Sequence, residues 1–154
     1  MRIVEVVDYS ETWPVQYEQE KQLIHMALPD IEITLYHIGS TSVVGLAAKP
    51  VIDILMEVNE ITELDQYNQE MSKIGFNAQG AFGIPGRRYF RKGDRTHHIH
   101  AFGKGDPGLH RHLAFRDYLR AHPSVCEAYA ELKKLVASQC NHDVQVYCDG
   151  RMIL

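Results

Sequence analysis

The chain is predicted to adopt an α+β fold, a mixed β-sheet with helices packed on it. Three observations predict it: helical and strand periodicities alternate along the sequence, 154 residues with 45% hydrophobic content suffice for one core, and no repeat, low-complexity tract or linker interrupts the chain. Residues 1–154 are therefore expected to form a single domain.

The first helix is read from TWPVQYEQEKQLIHMALP: Thr12 or Trp13 caps it, Pro14 suits the first turn, Leu23, Ile24, Ala27 and Leu28 form the apolar stripe, and Pro29 ends it. A strand ending at His37 and Ile38 follows, then a break at Gly39-Ser40-Thr41-Ser42 and a second strand through Val58. Ile61, Leu64, Tyr67, Met71 and Ile74 recur at spacings of three and four, which predicts one helix capped by Asn59 and ended by Gly75. RRYFRKGDRTHHIHAF reads as a hairpin turning at Lys92-Gly93-Asp94. Two further helices are expected, one from Asp106-Pro107 to His122, the other from Pro123-Ser124 with Val125, Tyr129, Leu132, Leu135 and Val136 on its apolar face.

Composition narrows the function. A formal net charge of -4 supplies no overall positive field, so long nucleic acid is not an expected partner and any anion site must be local. Cys126, Cys140 and Cys148 are odd in number and form no Cys-x-x-Cys pair, which argues for reduced thiols rather than a disulfide framework or a structural zinc site. No apolar stretch approaches the ~20 residues that span a bilayer, so no membrane association is expected and the cytoplasm is the expected compartment.

The stretch YHIGSTSVVGLAAKPVIDILMEV, residues 36–58, carries the most chemistry. Strand alternation places Ile52, Ile54, Met56 and Val58 on one face, read as core, and Val51, Asp53, Leu55 and Glu57 on the other, read as the face with the acids. Gly39 permits a sharp turn, after which the amides and hydroxyls of Ser40, Thr41 and Ser42 suit a phosphate; a Ser/Thr-rich turn without a ligand has the same composition.

In RTHHIHAF, alternation sets His97, Ile99 and Ala101 on one face and Thr96, His98, His100 and Phe102 on the other. With Ile99 and Ala101 in the core, His98 and His100 face outward together. Beside Asp53, and with His37 near, two such imidazoles suit one divalent ion, Zn²⁺ or Mn²⁺ better than Mg²⁺, and equally suit a hydrogen-bonded surface cluster. Arg87, Tyr89 and Arg91 share a face of a basic run: guanidinium forks match phosphate and Tyr89 can stack a base, while a charged hairpin edge that discourages strand pairing reads the same way. His112 and Arg116 lie one helical turn apart, placed either to face the site or to form a helix surface paired with Asp117.

These residues carry a resemblance. HIGSTSVVGLAAKPVIDI, with DYSETWPVQYEQE, RTHHIHAF and LAFRDYLRAHP, resembles the GrpB family over nearly the whole chain; that family is similar to the nucleotidyltransferase superfamily and is also found fused to dephospho-CoA kinase. In that superfamily a Gly-Ser turn precedes a strand bearing two carboxylates, two residues apart, that hold divalent metals against a nucleotide triphosphate. The resemblance implies that Gly39 and Ser40 hold phosphate with Lys49 as a second contact, and that Asp53 is the first metal-binding and catalytic acid. It breaks at Leu55, which stands where the second acid belongs. Glu57, four residues from Asp53, lies ~13 Å along the strand and cannot share the metal pair.

Two functions are consistent with this. One is a diverged nucleotidyltransferase-like protein that binds a nucleotide or other phosphorylated small molecule and transfers a nucleotidyl or phosphoryl group, using a divalent metal (Mg, Mn or Zn). The other is a ligand-binding or assisting module that lost catalysis with the second carboxylate.

Overall fold

The computed structural model describes residues 5–93 and 95–139. Helix α1 (Thr12–Ala27) is followed by strand β1 (Ile33–Ile38), a 3-10 turn (Ser40–Ser42), β2 (Ile52–Val58), a longer 3-10 segment (Ile61–Tyr67), the short helix α2 (Asn68–Lys73), β3 (Phe76–Ala78), β4 (Arg87–Lys92), β5 (His97–Gly103), α3 (Pro107–Ala121) and α4 (Pro123–Gln139). The strands form one mixed sheet in the order β1-β2-β5-β4-β3. β2 runs parallel to β5, and the other pairings are antiparallel. The α+β expectation is met, and the Asp53 strand is internal.

Three local readings are corrected, and one short strand is added. α1 buries Trp13, Tyr17, Glu20 and Ile24, with Leu28 just beyond, whereas Leu23 is 41% exposed; the buried stripe follows spacings of four and three from Trp13 and misses Leu23 by one position. The helix expected over 61–74 is split. Ile61, Leu64 and Tyr67 recur strictly every three residues, the period of a 3-10 turn, and the α-helix begins only where the spacing lengthens to four at Met71. β3 has three residues, too few for alternation to announce it. On α4, Val125 and Leu135 are exposed, and Cys126 with Tyr129 turns inward onto Val43, Leu46 and Leu119.

The Asp106 side chain accepts from Gly108 N at 2.8 Å, capping α3, and Pro107 follows in its first turn. Cys126 is buried; Cys140 and Cys148 lie outside the described residues, as does Asp94 at the expected hairpin turn. No helix among the described residues is long and apolar enough to cross a membrane.

The principal core lies between α1 and the sheet, where Ile52, Ile54, Met56 and Val58 of β2 meet Trp13 and Ile24. Glu20 of α1 is buried on that side, with Lys92 Nζ at 2.7 Å and His97 Nε2 at 3.6 Å, linking the helix to β4 and β5. The opposite face is not simply the solvated face with the acids. Leu55 is fully buried there with Ile38 and Phe102, beneath Leu109 of α3. The sheet is thus covered on both sides at its centre, and the site forms where α3 leaves it open. Leu55→Ala should lower the free energy of unfolding by about 2–5 kcal/mol, read from urea transitions of equal slope. A loss under about 1 kcal/mol would show that this second core packs loosely.

Candidate functional site

The parallel register of β2 and β5 builds the site. Asp53 lies opposite His98, with His100 two residues further along β5, so alternation raises all three side chains on the face away from α1. A cavity of about 430 Å³ opens above them. Gly39, Ser40 and Thr41 line it from the turn after β1, Lys49 and Val51 from the approach to β2, and Arg111, His112 and Phe115 from α3. Ser40, Asp53, His98 and His100 therefore share one cleft despite their separation in sequence.

The turn is a rigid wall. Gly39 has φ +72° and ψ −174°, a region open in practice to glycine, and a Cβ built on it would lie 2.8 Å from Asp53 Oδ2. Backbone and carboxylate thus meet at a distance no other residue permits. Thr41 donates its only hydroxyl proton to Val51 O at 3.1 Å. Its 3.0 Å contact with His37 Nε2 must therefore be an acceptance, which fixes His37 in its Nε2–H tautomer. Ser42 Oγ donates to Gly39 O at 2.6 Å, and Arg120 donates to Ser42 O from Nε at 3.1 Å and Nη2 at 2.8 Å. These bonds correct the phosphate reading of the Ser/Thr run: the hydroxyls of Thr41 and Ser42 are engaged in holding the turn, and Ser42 lines a separate cavity. Ser40 lines the site, and no hydrogen bond engages its hydroxyl among the described residues. Lys49 follows Ala48, whose backbone pairs with Val7 through bonds of 2.9 and 3.0 Å.

Asp53 combines enclosure with access. Burial alone would raise its carboxyl, but the imidazoles of His100 and His98 directed at it outweigh burial and hold it well below the usual carboxylate range. His100 Nε2 lies 3.3 Å from Asp53 Oδ1, a hydrogen bond, while His98 Nδ1 stands 3.7 Å from the same oxygen, a longer polar contact. The Asp53 side chain is still 29% exposed, through the cavity. It is a persistent anion, a strong acceptor and a weak base.

The basic strand contributes differently from the expectation. Arg87 is buried and donates to Ala81 O at 3.2 Å and Phe82 O at 2.8 Å, with Nη1 3.3 Å from His100 Nδ1. Three of its five N–H groups are engaged by the 81–82 loop and His100, and Arg87 does not line the cavity. Tyr89 stacks with Phe82 and lies against His98 and His100, and the Arg91 guanidinium sits 5.8 Å from the Phe82 ring; neither lines the cavity. These residues support the imidazoles from behind.

That support bears on the expected metal. Arg87 can only donate, so His100 Nδ1 must accept and His100 Nε2 must carry the proton it gives to Asp53. Ligation through Nε2 would move the proton to Nδ1, against the guanidinium. Among the described residues no group of three or more His, Cys, Asp or Glu is arranged to hold a metal ion. Asp53, His98 and His100 as placed do not fit a protein-made metal cage.

Sequence reasoning missed Arg111 and Phe115 and left His112 open. Positions 111, 112 and 115 form one face of α3, a helical signal hidden because Leu109 and Leu119 mark the buried face more strongly. His112 packs 5.3 Å from His100, and burial, aided by that neighbour, lowers its pKa to about 4. Arg116 turns away: it donates to His37 O at 3.3 Å and to Asp117 at 2.9 Å.

Two predictions follow from the turn. Gly39→Ala should destabilise by roughly 1–3 kcal/mol from backbone strain alone, with further loss from the carboxylate contact, measured by chemical denaturation. His37 is the second test. Burial, followed by the charge of Arg120, lowers its pKa to about 4, so the native state refuses a proton that the unfolded chain accepts near 6.5. The stability this gives is complete above about 6.5 and is lost between 6.5 and 4, as it is for His112. The melting temperature of His37→Gln should therefore decline less steeply than wild type over that window; parallel profiles would exclude His37 as a source of the slope.

Comparison with known proteins places this geometry. The chain is 43% identical to the UPF0157 protein YqkA of Bacillus subtilis over 97% of its own length, and spans 44% of that longer relative. It is 30% identical to the glutamate-rich protein GrpB of Alkalihalophilus pseudofirmus, covering 95% of this chain and 88% of that one. Among solved structures, the conserved protein GrpB from Enterococcus faecalis superposes with a TM-score of 0.91 at 41% identity, covering 97% of this chain and 92% of that one. A cytoplasmic RNA terminal U-transferase shares the fold alone, with a TM-score of 0.54, 13% identity, and coverage of 83% and 42%. The Cid1 poly(U) polymerase in its MgGTP-bound structure does likewise, with a TM-score of 0.52, 15% identity, and coverage of 78% and 41%. The fold is thus nucleotidyltransferase-like, and with the GrpB protein family model matching residues 3–153, the chain belongs to the GrpB family.

Proposed function

We propose that the cleft binds a phosphorylated small molecule of the nucleotide class, with phosphate between Lys49, Arg111 and the Ser40 hydroxyl, and a ligand hydroxyl donated to Asp53. One observation carries the reading: a single cavity gathers two cationic side chains and a free hydroxyl around a lastingly ionised acid. Enclosure strengthens each of these interactions relative to water. The fold likeness to the MgGTP-bound Cid1 structure supports the nucleotide class.

Binding without transfer is the reading the site favours. A two-metal mechanism needs paired carboxylates, and the position two residues beyond Asp53 is Leu55, buried under α3. A weak base is also a poor group for activating an acceptor hydroxyl. The alternative, nucleotidyl or phosphoryl transfer, is favoured by the exposed part of Asp53 beside the Gly39 and Ser40 turn. In that reading Asp53 meets a divalent ion carried by the ligand's phosphates.

The test is a thermal-shift and calorimetric screen of nucleoside phosphates and coenzyme A precursors, with and without Mg²⁺, Mn²⁺ and Zn²⁺. A nucleoside phosphate should bind saturably, and Lys49→Ala or Arg111→Ala should weaken it roughly tenfold, more at low salt than at high. Asp53→Asn should lower the ligand-free transition, because the imidazoles lose their anion, and should also lose the ligand-induced rise measured from that lower baseline. If no phosphorylated compound shifts the transition, the reading fails. Pyrophosphate release from UTP or ATP that disappears in Asp53→Asn would establish transfer instead.

A further inference from the structure

The wall of the cavity built by α3 holds a group that phosphate binding does not use. Phe115 lines the cavity and is 48% exposed, so its ring offers apolar surface to whatever occupies the cleft. It is not loosely hung. Its ring meets Tyr129 of α4 edge to face, with centroids 6.0 Å apart and planes at 72°. Tyr129 in turn packs against the cluster of Val43, Leu46, Leu119 and Cys126. The ring is therefore braced from behind and presented to the cavity. Arg111 lies one helical turn earlier on the same wall.

We propose that Phe115 is the stacking platform for a planar ring on the ligand, a nucleobase or a heterocycle of similar size, with Arg111 directing the attached phosphate toward Lys49. This rests on the phosphorylated-ligand reading and sharpens it: the preferred ligand carries an aromatic ring as well as phosphate. An exposed aromatic held in one orientation is suited to this, because every base has a π-face and stacking needs no hydrogen-bond match. A cation beside the platform adds attraction to both parts of such a ligand.

The experiment compares ATP with inorganic tripolyphosphate, which has the charge and lacks the ring, on wild type, Phe115→Ala, Phe115→Leu and Phe115→Trp. Phe115→Ala should weaken ATP about tenfold or more and leave tripolyphosphate unchanged. Phe115→Leu, which retains bulk without a π-face, should show the same ATP-selective loss and serves if the alanine variant melts early. Phe115→Trp should retain ATP affinity, and its fluorescence should be quenched on binding; the only native tryptophan, Trp13, is buried on α1. Equal losses for both probes, or undiminished ATP binding in the alanine and leucine variants, would overturn the platform while leaving phosphate binding intact. Wild type binding neither probe would overturn both.

Discussion

The site depends on one placement, the Asp53 carboxylate in parallel register with β5. Because Asp53 pairs with His98 and faces the same side as His100, one acid sits against two imidazoles, and its second oxygen is left to the Gly39 side of the turn. A carboxylate so enclosed must be matched by donors, and the imidazoles match it without removing it from the cavity. Arg87 extends the arrangement by accepting only one tautomer of His100, so a buried side chain on β4 sets which proton faces Asp53 on β2.

The turn shows a division of labour between neighbouring hydroxyls. Thr41 and Ser42 each possess one proton, and each directs it to a backbone carbonyl, while Arg120 completes the anchoring from α3. Ser40 is left for the cavity. A wall assembled in this way loses little conformational entropy when a ligand arrives, which is the physical meaning of a preorganised site.

Much of the fold was legible because long periodic segments carry their own signal. The alternation of Ile52, Ile54, Met56 and Val58, and the Asp106-Pro107 and Pro123-Ser124 starts, correspond to β2, α3 and α4. What misled was local. Leu23 fits an apolar stripe by spacing, yet Trp13 and Tyr17 define the one that packs; the strict threes of Ile61, Leu64 and Tyr67 belonged to a tighter helix. For the site, the meeting of Asp53 with His98 and His100 could be foreseen from alternation. The commitments of Arg87, Thr41 and Ser42 could not, since a donor's partner is set by loops whose path periodicity does not encode. Arg111 and Phe115 were hidden for a related reason: a helix face that lines a cavity looks, in sequence, like one that meets water.

Leu55 has a consequence for how readily such a protein could change its chemistry. Position 55 is a keystone shared by Ile38, Phe102 and Leu109, and α3 rests on it. An acid introduced there would be sealed beneath the helix, out of reach of any ligand in the cleft and without water or a partner. A second carboxylate beside Asp53 is therefore not one substitution away. It would require α3 to lift and its contacts to be rebuilt together, so the present packing acts as a ratchet that separates this site from a two-acid arrangement by several simultaneous steps.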